Sequence, residues 1–129
     1  MPRPHLAFTL AAALSASVLA ACATAPRHRQ VAADQPFVVV PGDTVALPDA
    51  SRLRYVEVAA DSRCPLGAVC IRAGDADVLF GFTAPGAVEQ PVTINTDTAA
   101  PTPVGRWQLR LLALARGDAP AATLQVTAR

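Results

Sequence analysis

From Pro36 to Arg129 short apolar runs alternate with clusters of Pro, Gly, Asp and Ser. Runs that brief, bounded by turn formers, predict strands rather than helices. Eight can be read: FVVV at 37–40, TVAL at 44–47, LRYVEVA at 53–59, AVCIRA at 68–73, DVLFGF at 77–82, VTINT at 92–96, WQLRLLALA at 107–115 and TLQVT at 123–127. A period of two is clearest late in the chain. Val78, Phe80 and Phe82 fall on one face with Leu79 and Gly81 on the other, and Leu124 and Val126 alternate with Thr123, Gln125 and Thr127. Half-buried antiparallel strands carry that pattern. Pro41-Gly42-Asp43 predicts a turn between the first two runs, because proline presets φ and glycine accepts a positive one.

Residues 106–116, RWQLRLLALAR, fit two elements. They hold enough good helix formers for three helical turns. As a strand they place Trp107, Leu109, Leu111 and Ala113 on one face, with Gln108 and Arg110 opposite. The strand reading is preferred, since the neighbouring runs recur at the spacing of roughly 8 to 12 residues found in sandwiches. The expected fold is all-β: a single small domain over residues 36–129, a sandwich or barrel of about 7–8 antiparallel strands.

The pattern of residues 1–21 differs. Arg3 and His5 precede an apolar run, LAFTLAAALSASVLAA from Leu6 to Ala21, the arrangement of a secretory signal peptide. Its 16 residues fall short of the roughly 20 that span a bilayer as a helix. Leu19-Ala20-Ala21-Cys22 resembles the lipobox of bacterial lipoproteins. The resemblance implies cleavage before Cys22 and a diacylglycerol on its sulfur, a reaction that needs a thiolate. Ala23, where an Asp would favour inner-membrane retention, implies the outer membrane, with the protein facing the periplasm. The membrane is then a partner through lipid on Cys22, and two or three acyl chains make the anchor durable. Plain secretion, with cleavage after Ala21-Cys22-Ala23, is the alternative. Residues 22–35 read as the lipidated cysteine and a flexible tether. Residues 23–35, ATAPRHRQVAADQ, lack an apolar period and mix Pro26 with Arg27, His28, Arg29 and Asp34. A coil of that length holds a domain about 20 Å from the lipid on average and about 45 Å at full stretch.

Charge removes one class of partner. All 11 basic residues are arginine, and loss of Arg3 with the signal peptide leaves a chain whose basic and 10 acidic residues balance. A nucleic-acid binder shows a basic excess or stripe. Here Arg52, Arg54, Arg63, Arg72, Arg106, Arg110 and Arg116 are interspersed with acids and read as solvated faces.

With Cys22 lipidated, Cys64 and Cys70 remain, in an oxidising compartment where disulfides persist. A bridge between them closes a short loop, with about 2 kcal/mol of chain-entropy stabilisation, and Pro65 and Gly67 favour the turn it needs. The C-x₅-C spacing is wider than that of zinc sites, the residues from Pro36 onward hold no histidine, and the C-x-x-C of redox proteins is absent. No metal or other cofactor is expected.

Asp61-Ser62-Arg63-Cys64-Pro65, then Cys70, then Ala73-Gly74-Asp75-Ala76, resemble a segment of the form DSRCP…C-V-W-A-G-x-A that recurs in small, β-rich bacterial envelope proteins. The resemblance implies an envelope setting and a β fold. It brings no activity with it. The chain departs at Arg72, where that segment carries an aromatic residue, so a shared aromatic contact surface does not follow. By its own chemistry Asp61 can cap the turn by accepting the N–H two residues on, and Arg63 can pair with Asp61, Asp75 or Asp77. The functional alternative is a ligand or hard-cation site built from Asp61, Asp75 and Asp77, although GDAD lacks the D-x-D-x-D-G pattern.

Catalysis is not expected and no catalytic residue is assigned. Ser62 as a nucleophile needs a base, and the domain has no histidine or lysine. Glu57, Asp61, Asp75 and Asp77 are not marked as an acid–base pair, and no Gly-rich phosphate loop occurs. The expected function is a lipid-anchored, non-enzymatic binding module that meets an envelope protein through an exposed apolar or edge-strand surface. One alternative is an inhibitor of a periplasmic or host hydrolase, such as lysozyme or a protease, presenting residues 65–69 as a rigid loop. Another is a carboxylate-dependent hydrolase with two acids in one cleft.

Overall fold

The computed structural model describes residues 28–129, so Cys22 and the signal segment lie outside the described residues. Nine strands form there: β1 Arg29–Gln30, β2 Phe37–Val39, β3 Thr44–Ala46, β4 Arg52–Asp61, β5 Ala76–Thr83, β6 Gln90–Asn95, β7 Thr102–Val104, β8 Trp107–Leu114 and β9 Ala122–Ala128. They make two sheets, one in the order β1-β3-β4-β5-β6 and one in the order β2-β9-β8-β7. Every pairing is antiparallel except β1 with β3. The fold is an all-β sandwich, and residues 106–116 supply a strand, as expected.

Alternation builds the core. Leu53, Tyr55, Val78, Phe80, Phe82 and Ile94 point inward from the larger sheet and meet Phe37, Val39, Leu109, Leu124 and Val126 of the smaller one. The Tyr55 and Phe80 rings lie 5.2 Å apart. Burying such a ring contributes on the order of 2–3 kcal/mol. Tyr55 stays inside because its hydroxyl donates to the Pro120 carbonyl at 2.8 Å, which satisfies the polar end of an otherwise apolar residue. Pro41-Gly42-Asp43 forms the expected turn: Gly42 has φ +94°, and the Asp43 N–H donates to the Val40 carbonyl at 3.0 Å.

Four details depart from the sequence reading. The run AVCIRA at 68–73 is no strand but an exposed loop; it lies beyond the end of the sheets, where no layer faces it. β7 is an additional strand. Pro101 and Pro103 argue against a strand, but β7 is a sheet edge, where proline is tolerated. The third detail is in β8, whose single apolar face breaks at a bulge between Leu111 and Ala113, so Trp107 and Leu109 are buried while Ala113 is exposed. Finally, the expected tether over 22–35 gives way to ordered chain by Arg29. Val31 is buried in the core, and its N–H donates to the Ala46 carbonyl at 2.9 Å. Asp34 donates its N–H to the Val126 carbonyl, and the Arg29 guanidinium reaches the Val38 carbonyl of the opposite sheet at 2.5 Å. One apolar side chain with these hydrogen bonds is enough to dock a segment that has no apolar period.

Candidate contact site at the disulfide tip

β4 loses its cover toward its end: Tyr55 is buried, yet from Val56 to Asp61 no β4 residue is, while the partner strand β5 stays buried at Val78 and Ala76. Past the strand ends the two legs continue as a narrow arm. The Ser62 N–H donates to the Asp75 carbonyl at 2.8 Å and the Cys64 N–H to the Ala73 carbonyl at 2.7 Å. A Cys64–Cys70 disulfide, with Cα atoms 5.9 Å apart, closes the end. Gly74 permits this approach: its φ is +68°, and a Cβ there would sit 1.9 Å from the Ser62 carbonyl oxygen.

With few apolar neighbours, the arm is held by directional contacts. Arg63, whose side chain is only 10% exposed, donates from Nε and Nη2 to the two carboxylate oxygens of Asp61 at 2.9 and 2.6 Å. It also donates to the Leu114 carbonyl at 2.8 Å and to the Ala115 carbonyl at 3.1 Å. The guanidinium thus bolts the arm, which grows from one sheet, to the end of β8 in the other. Arg116 adds a second brace on the Cys64 carbonyl. A fork of donors matched to a carboxylate is among the strongest polar contacts available, and the Arg63 hydrogen bonds hold the Asp61 carboxyl well below its ordinary value, at about 2. Asp61 also accepts the Arg63 N–H at 3.0 Å, the turn cap read from the sequence.

The other acidic residues go elsewhere. The Asn95 amide donates to Asp75 at 2.5 Å and to Asp77 at 2.8 Å. Hydrogen bonds from Asn95 and then Ser62 lower the Asp75 pKa. The structure therefore brings Asp75 and Asp77 together on Asn95 and gives Asp61 to Arg63. Among the described residues no group of three or more His, Cys, Asp or Glu side chains is placed to hold a metal ion, so the three-carboxylate cation site does not assemble. The Ser62 hydroxyl lies 3.0 Å from the Asp75 carboxylate and 3.1 Å from its carbonyl, serving the arm's own pairing.

What the arm offers to solvent is apolar. Leu66 is 82% exposed, and Val69 and Ile71 fully so. Arg72 beside them is exposed, and residues 62–73 contain no carboxylate. A polar cleft lies on the outer face of the larger sheet, lined by His28, Thr44, Arg52, Arg54, Thr83 and Glu89. Arg54 fills much of its chemistry by pairing with Glu89 at 3.0 and 2.5 Å, and Glu89 lies flat because Gly81 beneath it has no Cβ. His28, read as a solvated tether residue, lines this cleft.

Arg116 and Asn95 are the contributors that the sequence reading missed. Arg116 finds a backbone carbonyl 52 residues away, a contact with no local signal. Asn95 faces Asp77 across the β5–β6 ladder, which only the register reveals. No protein-family model, curated protein or solved structure matches the chain.

Proposed function

We propose that this protein is a lipid-anchored, non-enzymatic contact module of the bacterial cell envelope, acting through its disulfide tip. The observation that carries this reading is the concentration of exposed Leu66, Val69 and Ile71 on a braced arm. Exposed apolar groups on a rigid support mark interaction surfaces. The sheet edges offer less. β1 and β2 are two and three residues long, β6 carries Pro91 and β7 carries Pro103, and such edges resist strand addition. Catalysis by carboxylates is disfavoured for a physical reason: a general acid needs a raised pKa, whereas Asp61 and Asp75 are both held ionised.

Anchoring places the domain at the outer membrane, facing the periplasm. Labelled palmitate should enter the wild-type protein and not Cys22→Ser. For the contact itself, a photo-cross-linking amino acid at Leu66 in intact cells should give adducts that the same group at Val88, on the opposite end of the sandwich, does not. Adducts at Val88 alone would overturn the assignment. The rigid protrusion also suits an inhibitor of a hydrolase, and that second reading requires the purified protein to slow lysozyme or an envelope protease.

A further inference from the structure

We infer that the cleft on the outer face of the larger sheet is a second binding site, which takes the carboxylate or phosphate group of a small ligand on Arg52 and Arg54. It is separate from the tip, which lies past the opposite ends of β4 and β5.

Register builds the cleft. Val45, Leu53, Phe80 and Phe82 point into the core, so their neighbours along each strand point out. Thr44 is level with Arg54 and Arg54 with Gly81, while Arg52 is level with Thr83. Two guanidinium groups and two hydroxyls thus share one patch of the sheet. His28, which precedes the β1 residue level with Val45, closes one side. Gly81 keeps the floor low, since a Cβ there would sit 2.3 Å from the Glu89 carboxyl carbon. The space left is about 290 Å³, near the lower bound of roughly 300 Å³ for small-molecule sites. That room suits a small ligand.

The contacts already made show what the cleft selects. Glu89 lays its carboxylate across Arg54, which donates from Nε at 3.0 Å and from Nη2 at 2.5 Å. This fork recognises carboxylate and phosphate alike, so the chain has placed one of its own oxyanions where a ligand's would go. Glu89 ends the short connection between β5 and β6, and its side chain is 39% exposed. An exposed ion pair is worth little, and Glu89 can give way to a competitor. Arg52 has no such partner: neither ion pair among the described residues uses it. Its charge nevertheless reaches the cleft, because it helps, after the Arg54 hydrogen bond, to lower the Glu89 pKa. The two arginines therefore outnumber the one carboxylate, and the Thr44 and Thr83 hydroxyls stand by to donate to a further oxyanion. An incoming oxyanion binds Arg52 and competes with Glu89 for Arg54.

The test follows the full isotope-labelled chain by NMR during titration with sodium phosphate, with sodium acetate, and with sodium chloride at equal ionic strength. Phosphate or acetate is expected to move the Arg52 and Arg54 Nε–H signals and the Gly81 amide saturably, and chloride is not. The anion that saturates at the lower concentration tells whether the ligand is a phosphoryl compound or a carboxylic acid. Arg52→Gln should weaken binding about tenfold, the change that loss of one charged hydrogen bond brings. Glu89→Gln should tighten it, because the internal competitor is gone. Both side chains are exposed, so the fold survives either change. Arg110→Gln removes the same charge from an exposed position on the other sheet and should leave binding as it was. Shifts reproduced by chloride, no saturable shift with either oxyanion, weaker binding in Glu89→Gln, or equal weakening in Arg52→Gln and Arg110→Gln would each overturn the site.

Discussion

The β4–β5 ladder and the arm beyond its end are held by different physics. Within the sheet the strands form one wall of a core in which Leu53, Val78, Phe80 and Phe82 meet the opposite sheet. Past Asp61 and Ala76 the two legs have little apolar cover, and their shape comes from a disulfide, a bidentate ion pair, an arginine on a carbonyl and a glycine that lets two backbones touch. Dispersion and burial are non-directional and act over the whole body. A few hydrogen bonds and one covalent link fix a small projection without covering its apolar residues. A contact surface needs that combination, because side chains used to build a core are no longer available to a partner.

The comparison predicts separate failures. Phe80→Ala, at a fully buried ring, should cost about 3–5 kcal/mol and lower the melting temperature of the whole domain, read by circular dichroism. Replacing both cysteines, Cys64→Ala with Cys70→Ala, should cost about 2 kcal/mol. Its clearer signature is new protease cleavage between residues 64 and 72, with the sheets intact. Arg63→Ala removes the Asp61 pair and two carbonyl contacts; about 1–2 kcal/mol is expected, with cleavage sites again confined to the arm. If that variant melted like Phe80→Ala, the arm would belong to the same cooperative unit as the core.

Acid should act more weakly still, and on the arm first. The Asp61 pKa is lowered by Arg63 to about 2 in the folded protein, against about 3.9 for an unfolded aspartate. A carboxylate lowered on folding adds stability that is fully present above the unfolded value and lost as pH falls through the folded one. Asp75, lowered by Asn95 and Ser62, acts in the same direction. Protection of the arm should therefore decline between about pH 4 and pH 2, measured by acid-active protease. Arg63→Ala should flatten the Asp61 share of that decline. The energy involved is small, since the Asp61 side chain is 38% exposed and screened by water.

Much of the body was legible because burial on one face writes a period of two into the sequence, as in Val78, Phe80 and Phe82. The turn at Gly42 and the Asp61 cap were legible for a similar reason, being local chemistry between residues two or three apart. AVCIRA was misread since an apolar run does not say whether a layer faces it; Val69 and Ile71 have strand-forming side chains and nothing opposite. Docking of Arg29 and Val31 left no period to detect in so short a piece. The Arg63 and Arg116 braces end on backbone carbonyls that any residue could supply, so their partners depend on where β8 ends in space. The same holds for the bulge at Leu111.

The division between a packed body and a stapled tip is tested most directly by amide hydrogen exchange of the oxidised protein and of the protein with its Cys64–Cys70 bridge reduced. Reduction should speed exchange at the Ser62 and Cys64 amides, which bond across the arm to Asp75 and Ala73, and leave the Tyr55 amide, bonded to Asp43 beneath the core, unchanged. Equal acceleration at all three amides would contradict the account, because tip and body would then open as one unit.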